Sequence, residues 1–120
     1  MTQPLVVVDG ANVMGSRPDG WWRDRAGAAR RLVSTLARGV SWPGEVVLVL
    51  EGRARAGVPE SVVDGIRVVH APGSGDDAIV DLVRTEGRGR PVTVVTADRG
   101  LRERVTALGA TVAGPRSLVG

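Results

Sequence analysis

The sequence contains no cysteine and no lysine, and it has no long apolar run. Without cysteine, the 120-residue chain can form neither a disulfide nor a thiolate metal site. No apolar stretch approaches the ~20 residues that a membrane helix needs, and no basic segment followed by an apolar one marks a secretory signal. These absences predict a single cytoplasmic domain, residues 1–120, that contacts no membrane.

Because lysine is missing, all sixteen basic residues are arginine, and the formal net charge is +3. A coding bias explains this composition most simply, but it has a physical consequence for the surface. Arginine presents a planar, forked guanidinium that suits phosphate groups. If the acids gather at one site, the remaining surface is more basic than the total suggests, and nucleic acid is then a candidate partner.

Apolar runs typical of buried strands alternate with helical patterns along the chain. Strands are predicted at 5–8, 46–50, 66–70, 92–96 and 110–113. Helices are predicted at 24–38, from 76 or 77 to about 86, and at 101–108, where Leu101, Val105 and Leu108 point inward. A short helix is predicted near 60–64, and loops are predicted at 15–22 and 41–44. This alternation predicts a mainly parallel sheet of four to five strands with helices on both faces. All strand carboxyl ends then lie at one edge, where α/β sheets bind ligands.

Acidic side chains follow the strands at this edge. Asp9 follows the first strand, Glu51 the second and Asp98 the fourth. Asp76 and Asp77 begin the helix after the third strand. Several carboxylates in one place repel one another unless a cation lies between them. Oxygen ligands suit Mg²⁺ or Mn²⁺, which can hold a phosphate oxygen and activate water for in-line hydrolysis of a phosphodiester, so the sequence predicts a divalent-metal site.

Each of these acids also has a purely structural interpretation. Asp9 could begin a turn, Asp98 could cap a helix, and Glu51 could be a solvated strand end. One of Asp76 and Asp77 is expected to cap its helix, which leaves the other for metal. Asp76 is the first choice because it lies nearer the apolar face of that helix.

Five further side chains are candidates for contacts with a substrate. Arg99 and Arg102 could bind phosphate, and Thr96 could orient a water or a phosphate. Trp22 could stack on an unpaired base, as could Trp21 beside it. The competing interpretations are surface solvation for the arginines, a β-forming role for Thr96, and packing over the first helix for the two indoles.

Three segments of the chain resemble the NYN family of PIN-like ribonucleases, and its bacterial branch is the most similar. They are Val8-Asp9-Gly10-Ala11-Asn12-Val13, Gly75-Asp76-Asp77 and Val95-Thr96-Ala97-Asp98-Arg99-Gly100-Leu101, and they span nearly the whole chain. The resemblance implies a Rossmann-like three-layer sandwich and metal-dependent endonucleolytic cleavage of RNA, mostly single-stranded. It also implies that Asp9, Asp76 and Asp98 bind metal and that Asn12 is the associated amide. Glu51 stands where the family more often has an aspartate.

Two other functions stay open on the sequence alone: a nucleotide phosphohydrolase and a non-catalytic RNA-binding module of the same fold. The intact set of acids disfavours the binding module, since a pure binder gains nothing from repelling phosphate. A haloacid-type phosphatase would need an aspartate at position 11, where the chain has Ala11. Neither a P-loop nor a dinucleotide-binding glycine motif is present. A homodimer and a ribosomal or RNA-processing partner also stay open.

Overall fold

The computed structural model of the protein describes residues 3–17, 20–40 and 43–118. Of the two predicted loops, residues 18, 19, 41 and 42 lie outside these ranges. None of the helices in the described ranges is long and apolar enough to cross a membrane.

A six-stranded sheet forms the centre of the molecule. Its strands are β1 (Leu5–Asp9), β2 (Glu45–Leu50), β3 (Ser61–Val63), β4 (Ile66–His70), β5 (Val92–Val95) and β6 (Thr111–Ala113). They lie in the order β3-β4-β2-β1-β5-β6. All neighbours are parallel except β3 and β4, which are antiparallel. The predicted α/β fold with a mainly parallel sheet is confirmed, with one strand more than expected.

Helices cover both faces of this sheet. They are α1 (Gly10–Gly15), α2 (Arg25–Ala37), α3 (Gly75–Thr85) and α4 (Arg99–Thr106), together with 3₁₀ turns at Gly52–Gly57 and Pro115–Leu118. Side chains alternate across a strand, so Val6 and Val8 of β1 join the core under α1 and α2. Leu5 and Val7 join the second core, under α3 and α4. The result is three layers with β1 buried on both sides.

The short helix predicted near residues 60–64 is wrong, because this segment forms β3 and a hairpin turn. Asp64 and Gly65 both have positive φ, at 51° and 82°. A type I′ turn requires positive φ at both central residues, and Asp-Gly is a favoured pair for it. The turn folds β3 back against β4, and this pairing supplies the sixth strand.

Two further local predictions are also wrong. Ser74, not Asp76 or Asp77, caps α3, because its hydroxyl accepts a hydrogen bond from the Asp76 backbone N–H at 3.1 Å. The helix therefore starts at Gly75, and both acids lie inside its first turn. Leu108 does not point inward but is 43% exposed, since α4 ends at Thr106 and the helical period stops there.

The helix α1 lies outside the predicted pattern, since six residues are too few to show a helical period. It starts directly against β2, and Gly10 makes this possible. A Cβ at Gly10 would lie 2.5 Å from the Val49 carbonyl oxygen and 3.0 Å from Leu50 Cδ2. This close approach fixes where β1 ends and where its last side chain, Asp9, lies.

We expect Gly10→Ala to lower the free energy of unfolding by about 2 kcal/mol, because the new methyl group would overlap backbone that cannot easily move. Urea denaturation at pH 7 measures this. Gly73→Ala is the matched control, because a Cβ there meets nothing within 4 Å. Its unfolding free energy should stay within ~0.5 kcal/mol of the parent. Equal stability of the two variants would contradict the close approach.

Candidate active site

Asp9 is the last residue of β1 and the N-cap of α1, and its side chain is almost fully buried, at 4% exposure. One carboxylate oxygen, Oδ1, accepts a hydrogen bond from the Asn12 backbone N–H at 3.4 Å. The other, Oδ2, accepts one from the Thr96 hydroxyl at 2.9 Å. Both of these donors are neutral groups, so a negative charge at this position is only partly compensated.

Burial raises the pKa of Asp9 from its ordinary value of 3.8 to about 6. The loss of hydration is the largest cause, and the hydrogen bonds from Thr96 and Asn12 act against it. The charges of Asp76 and Glu51 raise the pKa further. The site therefore disfavours the ionised form of Asp9, and a nearby cation would favour it.

Asp76 and Glu51 reach this edge from two different elements. Asp76 lies in the first turn of α3, where burial and then the charge of Asp98 raise its pKa. Glu51 follows β2, and its Oε1 would lie 2.5 Å from a Cβ built on Gly75 at the start of α3. The carboxyl edge of the sheet thus gathers four acids close enough to influence one another's charge.

Asp77 has a different environment from its neighbour Asp76. Its carboxylate is exposed and forms an ion pair with Arg104 of α4, with 3.1 Å between the nitrogen and the oxygen. Asp76 is half-buried and interacts with both Asp9 and Asp98. This difference favours Asp76 as the acid of the pair that faces the site.

Polar side chains join the end of β5 to the elements around Asp9. The Thr96 hydroxyl donates to Asp9 and accepts the Asp98 backbone N–H at 3.1 Å. The Asn12 side-chain carbonyl accepts the Ala97 backbone N–H at 2.8 Å. Thr96 is fully buried, so the structure gives it a polar role beyond β-strand formation. Asn12 orients the backbone between Thr96 and Asp98.

Asp98 caps α4, as its structural interpretation suggested, because its Oδ1 accepts the Leu101 backbone N–H at 2.8 Å. Within the ranges that the structure describes, no residue donates a hydrogen bond to Oδ2. This second oxygen stays available on the exposed side of the edge. Capping and a role in the site are therefore compatible for Asp98.

The predicted substrate contacts lie around this edge but differ in their exposure. Arg102 is half-buried, and its Nε donates to the Thr96 carbonyl oxygen at 2.8 Å. Arg99 is exposed at the start of α4. Trp22 is 55% exposed, and its ring meets that of Trp21 edge-on, with the ring centroids 6.1 Å apart. His70, the one histidine in the sequence, lies elsewhere. Its Nε2 forms a hydrogen bond with the Val58 carbonyl oxygen, which fits a structural role.

The acids do not form a closed metal cage. Among the described residues, no three histidine, cysteine, aspartate or glutamate side chains are close enough to hold one ion together. The donor chemistry nevertheless fits Mg²⁺ or Mn²⁺, since the ligands are hard oxygens on groups whose charges repel. Mg²⁺ keeps several waters and is commonly bound by only one or two carboxylates. The residues fit such an ion by charge and donor type.

Sequence reasoning missed Ser74 and Arg104, which decide the environments of Asp76 and Asp77. A serine just before the first turn of an apolar helical pattern is an N-cap signal and could have identified Ser74. Arg104 carries no comparable signal, because its contact with Asp77 crosses from α4 to α3.

A mainly parallel sheet with acids gathered at its carboxyl edge is the arrangement that the resemblance to the NYN family implied. The family model of the YacP-like NYN domain matches residues 6–120, so the chain belongs to this family. The predicted resemblance is thereby confirmed.

Among solved structures, the chain is similar to a single-site mutant of Rae1 (YacP) from Bacillus subtilis, with a TM-score of 0.74. The sequences are 18% identical, and the match covers 97% of this chain and 72% of that one. This likeness concerns the fold. A comparison with curated proteins gives no match.

The raised pKa of Asp9 predicts a specific dependence of stability on pH. A carboxyl whose pKa is about 6 when folded and 3.8 when unfolded binds more protons in the folded state between these values. Stability therefore falls as pH rises through this window, by at most about 3 kcal/mol from this group. Asp9→Asn lacks this titrating group, so its stability should not show the same fall. Measured in EDTA, the unfolding free energy of the variant minus that of the parent should rise by about 2–3 kcal/mol between pH 4 and pH 7.5.

Urea denaturation at several pH values measures this difference, which cancels any constant cost of replacing the carboxylate. Asp81→Asn is the control, because Asp81 is exposed on α3 and forms an ion pair with Arg84 at 3.4 Å. Its difference from the parent should stay flat over the same range. A flat difference for Asp9→Asn as well would show that Asp9 ionises freely in the folded protein.

Proposed function

We propose that the protein is an endoribonuclease that uses Mg²⁺ or Mn²⁺ to hydrolyse phosphodiester bonds in single-stranded RNA. The observation that carries this proposal is the buried carboxylate of Asp9 with Asp76 and Glu51 beside it. Such an arrangement costs free energy in the absence of a cation. Membership of a nuclease-type family and an arginine-only basic surface support RNA as the substrate.

In this proposal Asp9 and Asp76 would hold the ion, and Glu51 and Asp98 would act on it through water. The bound ion would neutralise charge on the phosphate and lower the pKa of a coordinated water. Asp98 Oδ1 is engaged by the helix cap, and its Oδ2 would be the oxygen that accepts a hydrogen bond from a water at the site. Thr96 and Asn12 keep these carboxylates in position through the hydrogen bonds already described.

The arginines of α4 bind the phosphates on either side of the cleaved bond. Arg99 is exposed and can reach an incoming strand. Arg102 is anchored through Nε to the Thr96 carbonyl, which leaves its terminal nitrogens to bind phosphate. An anchored guanidinium loses less side-chain entropy on binding than a free one. Asp77, paired with Arg104, stays outside the metal site.

The proposal predicts that labelled single-stranded RNA is cut with Mn²⁺ and left intact with EDTA. Asp9→Asn and Asp98→Asn should each lower the cleavage rate at least ~100-fold, because each removes a negative oxygen from the metal site. Both variants should stay folded, since asparagine can also cap a helix. Gel electrophoresis of the fragments and circular dichroism measure the two results.

Asp81→Asn is the matched control, because it removes the same charge from an exposed position on α3 and should cut at the parental rate. Undiminished cleavage by both site variants would contradict the proposal. Cleavage that persists in EDTA would exclude the metal.

A non-catalytic RNA-binding module is the second candidate, and one observation favours it. No three acids in the described part of the chain converge on a common ion position. A binding module would retard the RNA in a native gel and leave it intact with or without Mn²⁺. The proposal does not include a homodimer or a ribosomal partner.

A further inference from the structure

A groove of about 300 Å³ opens beside the acidic edge. It lies between α1, the turn before α2 and the 3₁₀ turn that follows β2. The residues that matter for its chemistry are Ala11, Met14, Trp21, Arg25, Arg53 and Ala54. Ligand sites span roughly 300–1,000 Å³, so this groove has room for one small planar group.

The groove has an apolar floor and an aromatic wall. Met14 and Ala54 are buried and belong to the core under α2. Trp21 is half-buried, packs against the same core and has its indole next to Gly15. This packing gives the ring a fixed position, so it can stack on a ligand at a low cost in side-chain entropy.

Two guanidinium groups add positive charge to this apolar surface. The Arg25 guanidinium lies over the Trp21 ring, 5.6 Å from its centroid, and Arg53 is exposed on the 3₁₀ turn. Bases stack on aromatic rings and on guanidinium planes, while the same guanidinium groups pair with phosphate. An apolar groove that is lined by an indole and by two guanidinium groups is suited to a nucleotide.

The groove is continuous with the candidate active site through Glu51. This residue lines the groove, and its charge also raises the pKa of Asp9. A chain whose phosphate lies at the acidic edge can therefore place a neighbouring base in the groove. Paired bases cannot enter, because their faces and edges are occupied within the duplex.

We infer that this groove binds one unpaired base of the RNA, with Trp21 as the stacking surface and Arg25 and Arg53 as contacts to the adjoining phosphates. The inference rests on the proposed function for its substrate. The two neighbouring tryptophans therefore have different roles, because Trp21 lines the groove and Trp22 does not. Base binding in the groove also gives a physical reason for a preference for single strands.

The test compares two labelled strands by fluorescence anisotropy in EDTA, where no cleavage is expected. One is a single-stranded RNA, and the other is a strand of the same length and charge that carries no bases. Trp21→Leu should bind the RNA about tenfold more weakly than the parent, as loss of one stacked base predicts. It should bind the base-free strand with unchanged affinity.

Trp22→Leu is the matched control, and it should lose clearly less affinity for the RNA than Trp21→Leu. Arg25→Gln and Arg53→Gln should weaken binding of both strands and reduce its salt dependence. Arg38→Gln removes the same charge at the far end of α2, and it should change neither the affinity for the two strands nor the salt dependence of binding.

Trp21 packs against the core, so Ala11→Met provides a second variant that fills the groove and leaves the indole in place. It should also weaken binding of the RNA and spare the base-free strand. Unchanged RNA affinity in Ala11→Met, an equal loss in Trp22→Leu, or an equal loss on the base-free strand would each overturn the inference. Base-dependent binding in EDTA, together with no cleavage in Mn²⁺, would support the groove and refute the nuclease proposal. Cleavage in Mn²⁺ without base-dependent binding would support the nuclease proposal and refute the groove.

Discussion

The rest of the site depends on one constraint, which is that a carboxylate ends a strand buried on both faces. β1 lies between β2 and β5, so Asp9 emerges at the centre of the sheet edge with little contact to water. The close approach of Gly10 to the Val49 carbonyl fixes this position. Within the described part of the chain, the donors to the Asp9 carboxylate are the Thr96 hydroxyl and one backbone N–H. Its charge is therefore costly, and further acids beside it add to the cost.

In the proposed function this constraint links the fold to catalysis, because a cation bound beside the acids would compensate their negative charge and could also hold a phosphate oxygen. Arginines lie near this edge at two places, on α4 and beside the groove. The acids, the arginines of α4 and Trp21 come from separate parts of the sequence. Parallel strands with right-handed crossovers bring them to one edge.

The sequence predicts most of the architecture because its apolar runs are strong signals, as for β1, β2, β4 and α2. The helix predicted near 60–64 is wrong because the three strand residues of β3 are too few to show an alternating pattern. The Asp64-Gly65 turn determines the structure there instead. Tertiary contacts explain what no pattern could reveal. The bond from Thr96 to Asp9 joins residues far apart in the chain, and packing against Gly15 gives Trp21 a different environment from Trp22.

The most direct measurement is anomalous diffraction from a crystal soaked with Mn²⁺. The proposed metal site predicts a peak about 2.2 Å from an Asp9 carboxylate oxygen, the usual distance for an oxygen ligand of such a cation. A carboxylate of Asp76, Glu51 or Asp98 should lie in the same coordination shell, directly or through a water. No peak at saturating Mn²⁺, or a peak elsewhere with Asp9 still bonded only to Thr96 and the Asn12 backbone, would contradict it.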